Sequence, residues 1–472
     1  MRDIVSVSAT ILELKKYDLL PTILFRSSRA QCDFDVQRLA GNRKLTADRN
    51  LQREIKAKIN EVIEKYDFDR ELIISHAQYA SLVTAAAGAH HAGQLLMWRL
   101  LLEELMSAGL LKALIATGTV AAGVDFPARS VIVSAHSRRG NEGFEDLTSA
   151  ELQQMSGRAG RRGKDTVGFC IAVPSKFCDA RTVLKIAKRP PEALKSSYFP
   201  GPSTVLNLLR YRTADGLSFT VERSLASYKD KEQAQKLIEQ AKVEEQSLGN
   251  DFESRELDKD EKKKVKKIRR LKREADVLNN KQVKMLDSSL EGLNKLGFIV
   301  DNQLSEKGVW SSNLCTNLVI ELAELIDKEM ITAQMTLEEI VAVVASIAGD
   351  YYRSYLKIKG GYFEEEQAEK IQGILKSVRE LNMPGVGTSL EVVEDAAYTA
   401  VKWIKTESWQ EFKLMLISDG VAEGDAARLI TQTAEQLNQI ARLARTHKEL
   451  ADRAFEARLL LLRPPLTEVV LG

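Results

Sequence analysis

The segment Gln154-Met155-Ser156-Gly157-Arg158-Ala159-Gly160-Arg161-Arg162-Gly163 sets Arg158 and Arg161 three residues apart in a glycine-rich frame. If they open a helix they project from one face, and planar guanidinium groups suit the clamping of several phosphate oxygens at once. Two such groups aimed at a terminal phosphate can stabilise charge on a transferring phosphoryl group. A single arginine finger of this kind contributes roughly 10³ to 10⁵ in rate in nucleotide hydrolases. A second segment runs Ala116-Thr117-Gly118-Thr119-Val120-Ala121-Ala122-Gly123-Val124-Asp125-Phe126-Pro127-Ala128, directly after an apolar run ending at Ile115. Its small residues and glycines let backbone N–H groups approach a phosphate closely, and Thr117 adds a hydroxyl donor.

Those segments need a frame. From Leu19 to about Lys185, apolar runs at 23–25, 114–118, 131–135 and 168–173 alternate with longer helical patterns, which predicts a parallel α/β sheet. The runs lack polar alternation, as strands buried on both faces require, so functional loops should sit at their carboxyl ends. Pro190, Pro191, Pro200 and Pro202 then break the pattern. Residues 229–285 hold 17 basic and 13 acidic side chains with no proline, and Ile268, Leu271, Ala275, Leu278 and Met285 keep 3/4 spacing. This predicts two antiparallel helices in a hairpin arm that turns at Gly249. The basic run from Lys262 to Arg273 could bind phosphate, although such a run on a long helix is ordinarily a solvated face. From Leu286 to Gly472 helical periodicity dominates, and residues 293–308 look like a helix leading into a short extended excursion, a winged-helix-like pattern.

Composition narrows the classes. The chain has 472 residues, with 68 Lys plus Arg against 66 Asp plus Glu, so a net charge of +2 gives no global polyanion signal and any nucleic-acid surface must be local. The longest apolar stretch, Ile340 to Ala348, is far too short to span a bilayer, and residues 1–16 carry no sustained apolar run. The expectation is a cytoplasmic protein. Cys32, Cys170, Cys178 and Cys315 form no metal-ligand spacing and should be reduced, mostly buried thiols. His90 and His91 have no flanking ligand set, so a structural or strand-contacting role is favoured over metal binding. Trp98, Trp310, Trp403 and Trp409 lie in apolar helical contexts and read as core.

QMSGRAGRRG and ATGTVAAGVDFPA resemble motifs VI and V of superfamily 2 helicases, in the superkiller-like DExH branch that includes exosome-associated RNA helicases. ILFRSSRAQCD (23–33) resembles motif IV, AHHAG (89–93) resembles that branch's HHAG loop, and FPGPSTVLNLLR (199–210) with VERSLASY (221–228) resembles its winged-helix segment. Residues 293–308 and 421–443 are similar to the branch's C-terminal helical domain, so nearly the whole chain is covered. The resemblance implies a second RecA-like domain (1–185), a winged-helix-like segment (186–228), the arm (229–285) and a helical, ratchet-like domain (286–472). It implies Arg158 and Arg161 as arginine fingers toward ATP and Mg²⁺, with Gln154 on the γ-phosphate side and Gly123, Asp125 and Gly157 beside the nucleotide. Ser27, Arg29, His91, Gly93 and Thr117 would contact the nucleic-acid backbone, which gives affinity and register without reading sequence. Arg428, in EGDAAR, is the candidate strand contact from the helical domain, with a capping or salt-bridge role as its alternative. Residues 137–150 fall where related helicases carry a strand-parting β-hairpin.

A complete motor of this kind also needs a GxxxxGK[ST] phosphate loop and a DExH box. Neither occurs in these residues; Gly163-Lys164-Asp165 has the wrong third residue. The sequence therefore reads as the C-terminal half of an ATP-dependent RNA helicase, to be completed by a first RecA-like domain in cis or in trans. The alternatives are a repair-type DNA helicase fragment and a nucleic-acid-binding or regulatory module without ATPase activity of its own.

Overall fold

The structure is a computed structural model and describes residues 6–118, 128–140, 143–161, 163–175, 177–248, 258–387 and 391–467. The predicted turn at Gly249, like Gly123 and Asp125, lies outside them. The chain forms two compact units. One comprises Met1–Ala193, Thr406–Arg428 and Leu462–Gly472; the other comprises Leu194–Lys405 and Leu429–Leu461.

The first unit carries β1 (Thr22–Arg26), β2 (Ala87–His90), β3 (Ala113–Thr117), β4 (Ser130–Val133), β5 (Ser137–Gly140), β6 (Gly143–Asp146) and β7 (Phe169–Ala172). Five of these make an all-parallel sheet in the order β2-β3-β1-β4-β7, in which Leu24 pairs with Ile115 on one side and Ile132 on the other. Leu24, Ile115 and Ile132 are buried because helices cover the sheet, which is why their runs show no polar alternation. β1, β3, β4 and β7 fall on the predicted runs, but β7, at the edge of the sheet, is exposed to half-buried and not covered on both faces as expected. β2 falls on none of them: AHHAG reads as a loop, yet Ala89 and His90 pair with Ile115 and Ala116. Its Ala-Gly-Ala-His sequence has little strand propensity. A Cβ on Gly88 would lie 2.4 Å from a methyl of Leu102, so the small residue is set by the helix Leu96–Ser107 packed against it. β5 and β6 pair antiparallel, giving the hairpin expected within 137–150.

In the second unit the arm is formed by the helices Leu225–Gln246 and Lys259–Lys295. Lys267 to Glu244, Lys264 to Ser247 and Gln282 to Asp230 pair residues in opposite chain directions, so the helices are antiparallel. The second helix runs without a break through residue 286. Residues 186–228 contribute the helices Pro202–Leu209 and Ala214–Glu222. No strand lies among the described residues of that segment. The short hairpin β8 (Ile299–Val300) and β9 (Gln303–Leu304) comes later in sequence, because Gly297, Asp301 and Asn302 adopt positive φ and turn the chain sharply. The core beyond it is helical, and the Trp403 indole donates to the Leu461 carbonyl at 2.9 Å. All four tryptophans are buried, whereas only Cys32 and Cys178 among the thiols are; Cys170 and Cys315 are exposed. No described helix is long and apolar enough to cross a membrane.

Glu321, on the buried helix Val319–Asp327, is 1% exposed, its Oε2 has no partner among the described residues, and burial pushes its carboxyl up to about 7. A raised acid contributes fully to stability below its unfolded value near 4.5 and loses that contribution as pH rises through about 7. Glu321→Gln is therefore expected to raise stability by about 2 kcal/mol at pH 8.5 and to change it little at pH 4.5, as read from urea unfolding at both values. Equal effects at the two pH values would contradict this.

Candidate functional site

The helix Ser149–Ser156 starts at a capping box in which Thr148 and Glu151 satisfy each other's backbone N–H groups, and it ends on Gly157. Arg158 and Arg161 thus follow the helix instead of opening one, which corrects the expectation from their spacing. The helix has already closed on Gly157, and Gly160, at φ +93, keeps the segment from resuming a right-handed helix. The loop is then tied to the residue leading into β4, because Ala128 N donates to the Arg158 carbonyl at 2.8 Å and Gly160 N to the Ala128 carbonyl at 2.7 Å. Gly168 lies directly against it; a Cβ there would sit 2.3 Å from the Ala159 carbonyl oxygen.

Arg161 is held by Asp165. Its Nε donates to Oδ2 at 2.8 Å, its Nη2 to Oδ1 at 2.9 Å, and its backbone N to Oδ2 at 2.9 Å. Arg129 Nη1 donates to the same carboxylate at 2.5 Å. The hydrogen bonds and charge of Arg161, with Arg129 behind them, hold the Asp165 carboxyl well below the usual carboxylate range. The Asp165 side chain is 1% exposed and that of Arg161 is 29% exposed. This side-on pairing uses the Nε/Nη2 edge and leaves the Nη1/Nη2 edge of the fork available for a second oxyanion. Arg158 is half-buried one turn of loop earlier.

Two further groupings follow from the topology. At the carboxyl ends of β1, β3 and β4, a cavity of about 480 Å³ is lined by Ser27, Thr117, Gly118, Ser137, Gln154 and Met155, among others. It gathers Ser27, Thr117 and Gln154, three residues far apart in sequence, as a parallel sheet places its loops. Elsewhere in the unit, Arg29 Nη1 pairs with Asp425 at 2.7 Å, and Gly424 N donates to the Gly93 carbonyl at 3.0 Å. A Cβ on Gly424 would lie 2.4 Å from the Ala92 carbonyl oxygen, so the glycine is what admits the contact. His91 is buried, with Nε2 3.0 Å from Asp33 and Nδ1 accepting from Gly93 N at 3.2 Å; its ring orders the loop from within. Arg428 lies three residues beyond Asp425 on the same helix, Glu423–Ala441. Residue type and spacing do not single out Asp165, Gly168, Asp425 or Gly424. Asp165 has one signal, since it follows an arginine by four residues in a loop of cations, but nothing in one sequence distinguishes a buried carboxylate from an exposed one.

His76 stacks on Trp98 with ring centroids 3.6 Å apart, and burial, reinforced by Lys413 and His91, pushes its imidazole down to about 3. The unfolded chain takes up the proton near 6.5 while the fold resists it. Stability is therefore complete above pH 6.5 and is lost as pH falls toward 3, at up to about 1.4 kcal/mol per pH unit. His76→Phe keeps the stacking and is expected to flatten that dependence in melts between pH 7.5 and 4.5. An unchanged slope would remove His76 as its source.

Comparison with known proteins bears on these arrangements. Residues 301–468 match the family described as the DSHCT (NUC185) domain. The chain is 33% identical over 223 residues to the "Probable helicase HelY" of Mycobacterium tuberculosis, covering 46% of this chain and 24% of that protein. It is 33% identical over 238 residues to the "DExH-box ATP-dependent RNA helicase DExH15 chloroplastic" of Arabidopsis thaliana, covering 50% and 20%. It is 31% identical over 237 residues to the "ATP-dependent RNA helicase mtr4" of Schizosaccharomyces pombe, covering 49% and 20%. The chain thus spans a quarter or less of the length of these relatives.

Proposed function

We propose that this chain, which corresponds to the C-terminal region of a superkiller-like superfamily 2 helicase, supplies the arginine side of an ATP site and part of an RNA path. The relatives named as ATP-dependent RNA helicases support the substrate class. The observation that carries the reading is the Arg161 guanidinium, braced on a covered carboxylate along one edge and open along the other. In this reading ATP and Mg²⁺ are held mainly by a phosphate-loop domain in cis or in trans. Arg161 and Arg158 reach the terminal phosphate, and Gln154, exposed near the end of the preceding helix and on the rim of the strand-end cavity, would stand between that phosphate and the RNA path. Charge developing on the transferred phosphoryl oxygens is then met by a group that needs no reorganisation, because Asp165 has already fixed it.

Ser27 and Thr117, on the cavity at the strand ends, would bind the RNA backbone. The Arg29–Asp425 pair sets the start of the helix that carries Arg428, the candidate ratchet contact. The hairpin β5–β6, with Phe144 73% exposed, suits the parting of strands, since an apolar ring can replace a lost stacking partner. We read the helices Pro202–Leu209 and Ala214–Glu222 with the hairpin β8–β9 as the winged-helix element. RNA-stimulated ATP hydrolysis, measured for this chain alone and then together with a phosphate-loop domain, tests the proposal. None is expected alone and stimulation is expected in the pair; turnover by the chain alone would defeat the half-site reading.

A further inference from the structure

The arm carries a feature that a motor does not require. Residues 262–273 contain nine Lys or Arg, interrupted only by Val265, Ile268 and Leu271. Those three pack against Leu237 and Ala241 of the opposite helix and Leu248 just past its end. The nine cations then divide by direction. Lys264, Lys267 and Lys272 face the partner helix and are bound there by Ser247, Glu244 and Glu245. Lys263 and Arg270 are neutralised along their own helix by Asp260 and Glu274. Lys262, Lys266, Arg269 and Arg273 are exposed, and none of their side chains has a hydrogen bond or ion pair among the described residues. Their spacing of four, three and four places them within about 60° of one another around the helix, and about 130°, centre to centre, from the apolar stripe. They form a row about 16 Å long with one cation per turn.

A merely solvated helix distributes both signs over its outer face, as the first helix of this arm does with its i,i+3 and i,i+4 pairs of Glu232 with Lys229 and Lys236. Here the carboxylates that pair with the run lie on its inner and lateral faces, and the outer row is left with one sign. Between the side chains of Lys263, Lys266, Lys267, Arg269, Arg270 and Arg273 lies an open cleft of about 570 Å³. We infer that this row binds the phosphate backbone of a nucleic-acid strand, apart from the strand-end cavity of the sheet unit. A regular, extended polyanion matches a row of regularly spaced cations, and phosphate contacts of this kind carry no sequence preference. The inference does not depend on the arginine-finger reading, because the row needs no nucleotide.

The test is fluorescence anisotropy of a labelled oligouridylate with the full chain, without ATP, over a range of salt concentrations. Replacing Lys262, Lys266, Arg269 and Arg273 together by Gln is expected to weaken binding at least about 10-fold at low salt. The slope of log K against log salt should fall by about three, at about 0.7 for each phosphate that is no longer neutralised. The positions are exposed, so helicity by circular dichroism should be unchanged. Lys264→Gln with Lys272→Gln, on the inner face, is the comparison and should leave the slope as it was. An oligodeoxyuridylate should compete as well as the RNA. An unchanged slope in the outer-row variant would overturn the inference, as would equal competition by polyglutamate, which would make the row a docking face for an acidic protein. The binding is read without ATP or a phosphate-loop domain, so failure of the motor reading and failure of this one give different results.

Discussion

Replacing Arg161 by Ala is expected to lower RNA-stimulated ATP turnover by at least about 10³-fold once a phosphate-loop domain completes the site, with RNA affinity unaltered. The size follows from removing a preorganised cation from the transferring phosphoryl group. Its selectivity follows from position, since Arg161 lies on the loop beyond Gly157 and does not line the cavity that holds Ser27 and Thr117. Asp165→Asn should act in the same direction but less strongly. It keeps the shape of the brace while weakening its hold on the Nε/Nη2 edge, so the finger remains present but less fixed. Single-turnover hydrolysis with the two variants measures both effects. Turnover in Arg161→Ala equal to that of the unsubstituted pair would end the finger assignment.

Gly168→Ala is the second large effect, and it reaches the same loop from underneath. The added methyl would lie 2.3 Å from the Ala159 carbonyl oxygen, 2.4 Å from its carbon and 2.6 Å from Gly160 N. All three are backbone atoms already held by the Ala128 bridge, so they cannot rotate away as a flexible side chain would. Overpacking of this kind costs about 1–3 kcal/mol in unfolding free energy. The loop that carries Arg158 and Arg161 must shift, and a displacement near 1 Å in a positioning group can lower turnover by about 10²-fold. Urea unfolding and hydrolysis by the completed pair report the two losses separately. Gly163→Ala is the comparison: no atom lies within 4 Å of its Cβ position, so the crowding, though not the strain of its positive φ, is absent. A stable, fully active Gly168→Ala variant would show that the loop yields without consequence.

Much of the sheet was legible because burial on both faces leaves a chemical trace. Runs such as Leu114-Ile115 and Val131-Ile132-Val133 show no polar alternation, and each became an inner strand. β2 left no such trace. Alanine and glycine suit many conformations, and only the approach of Leu102 required them at this place. The arm was legible for a similar reason, since Ile268, Leu271 and Ala275 repeat at helical spacing and are buried. The direction of Arg158 and Arg161 was not, because a spacing of three indicates a common face only where the backbone is helical, and the helix has closed at Gly157 before either arginine.

The amino-acid order by itself determined the classes of chemistry available: paired guanidiniums among glycines, a glycine-rich stretch after a buried strand, and a basic run on a long helix. These are local properties, set by residue type and near-neighbour spacing. Only the tertiary structure decided which charges are already matched. Asp165 closes over Arg161 and Arg129, and Asp425 reaches Arg29 across 396 positions of chain. Glu244 and Glu245 neutralise the inner lysines of the arm but not the outer row. Matching is decided by distance and desolvation in three dimensions, and a carboxylate near a cation in sequence, or far from it, carries neither quantity until the chain has folded.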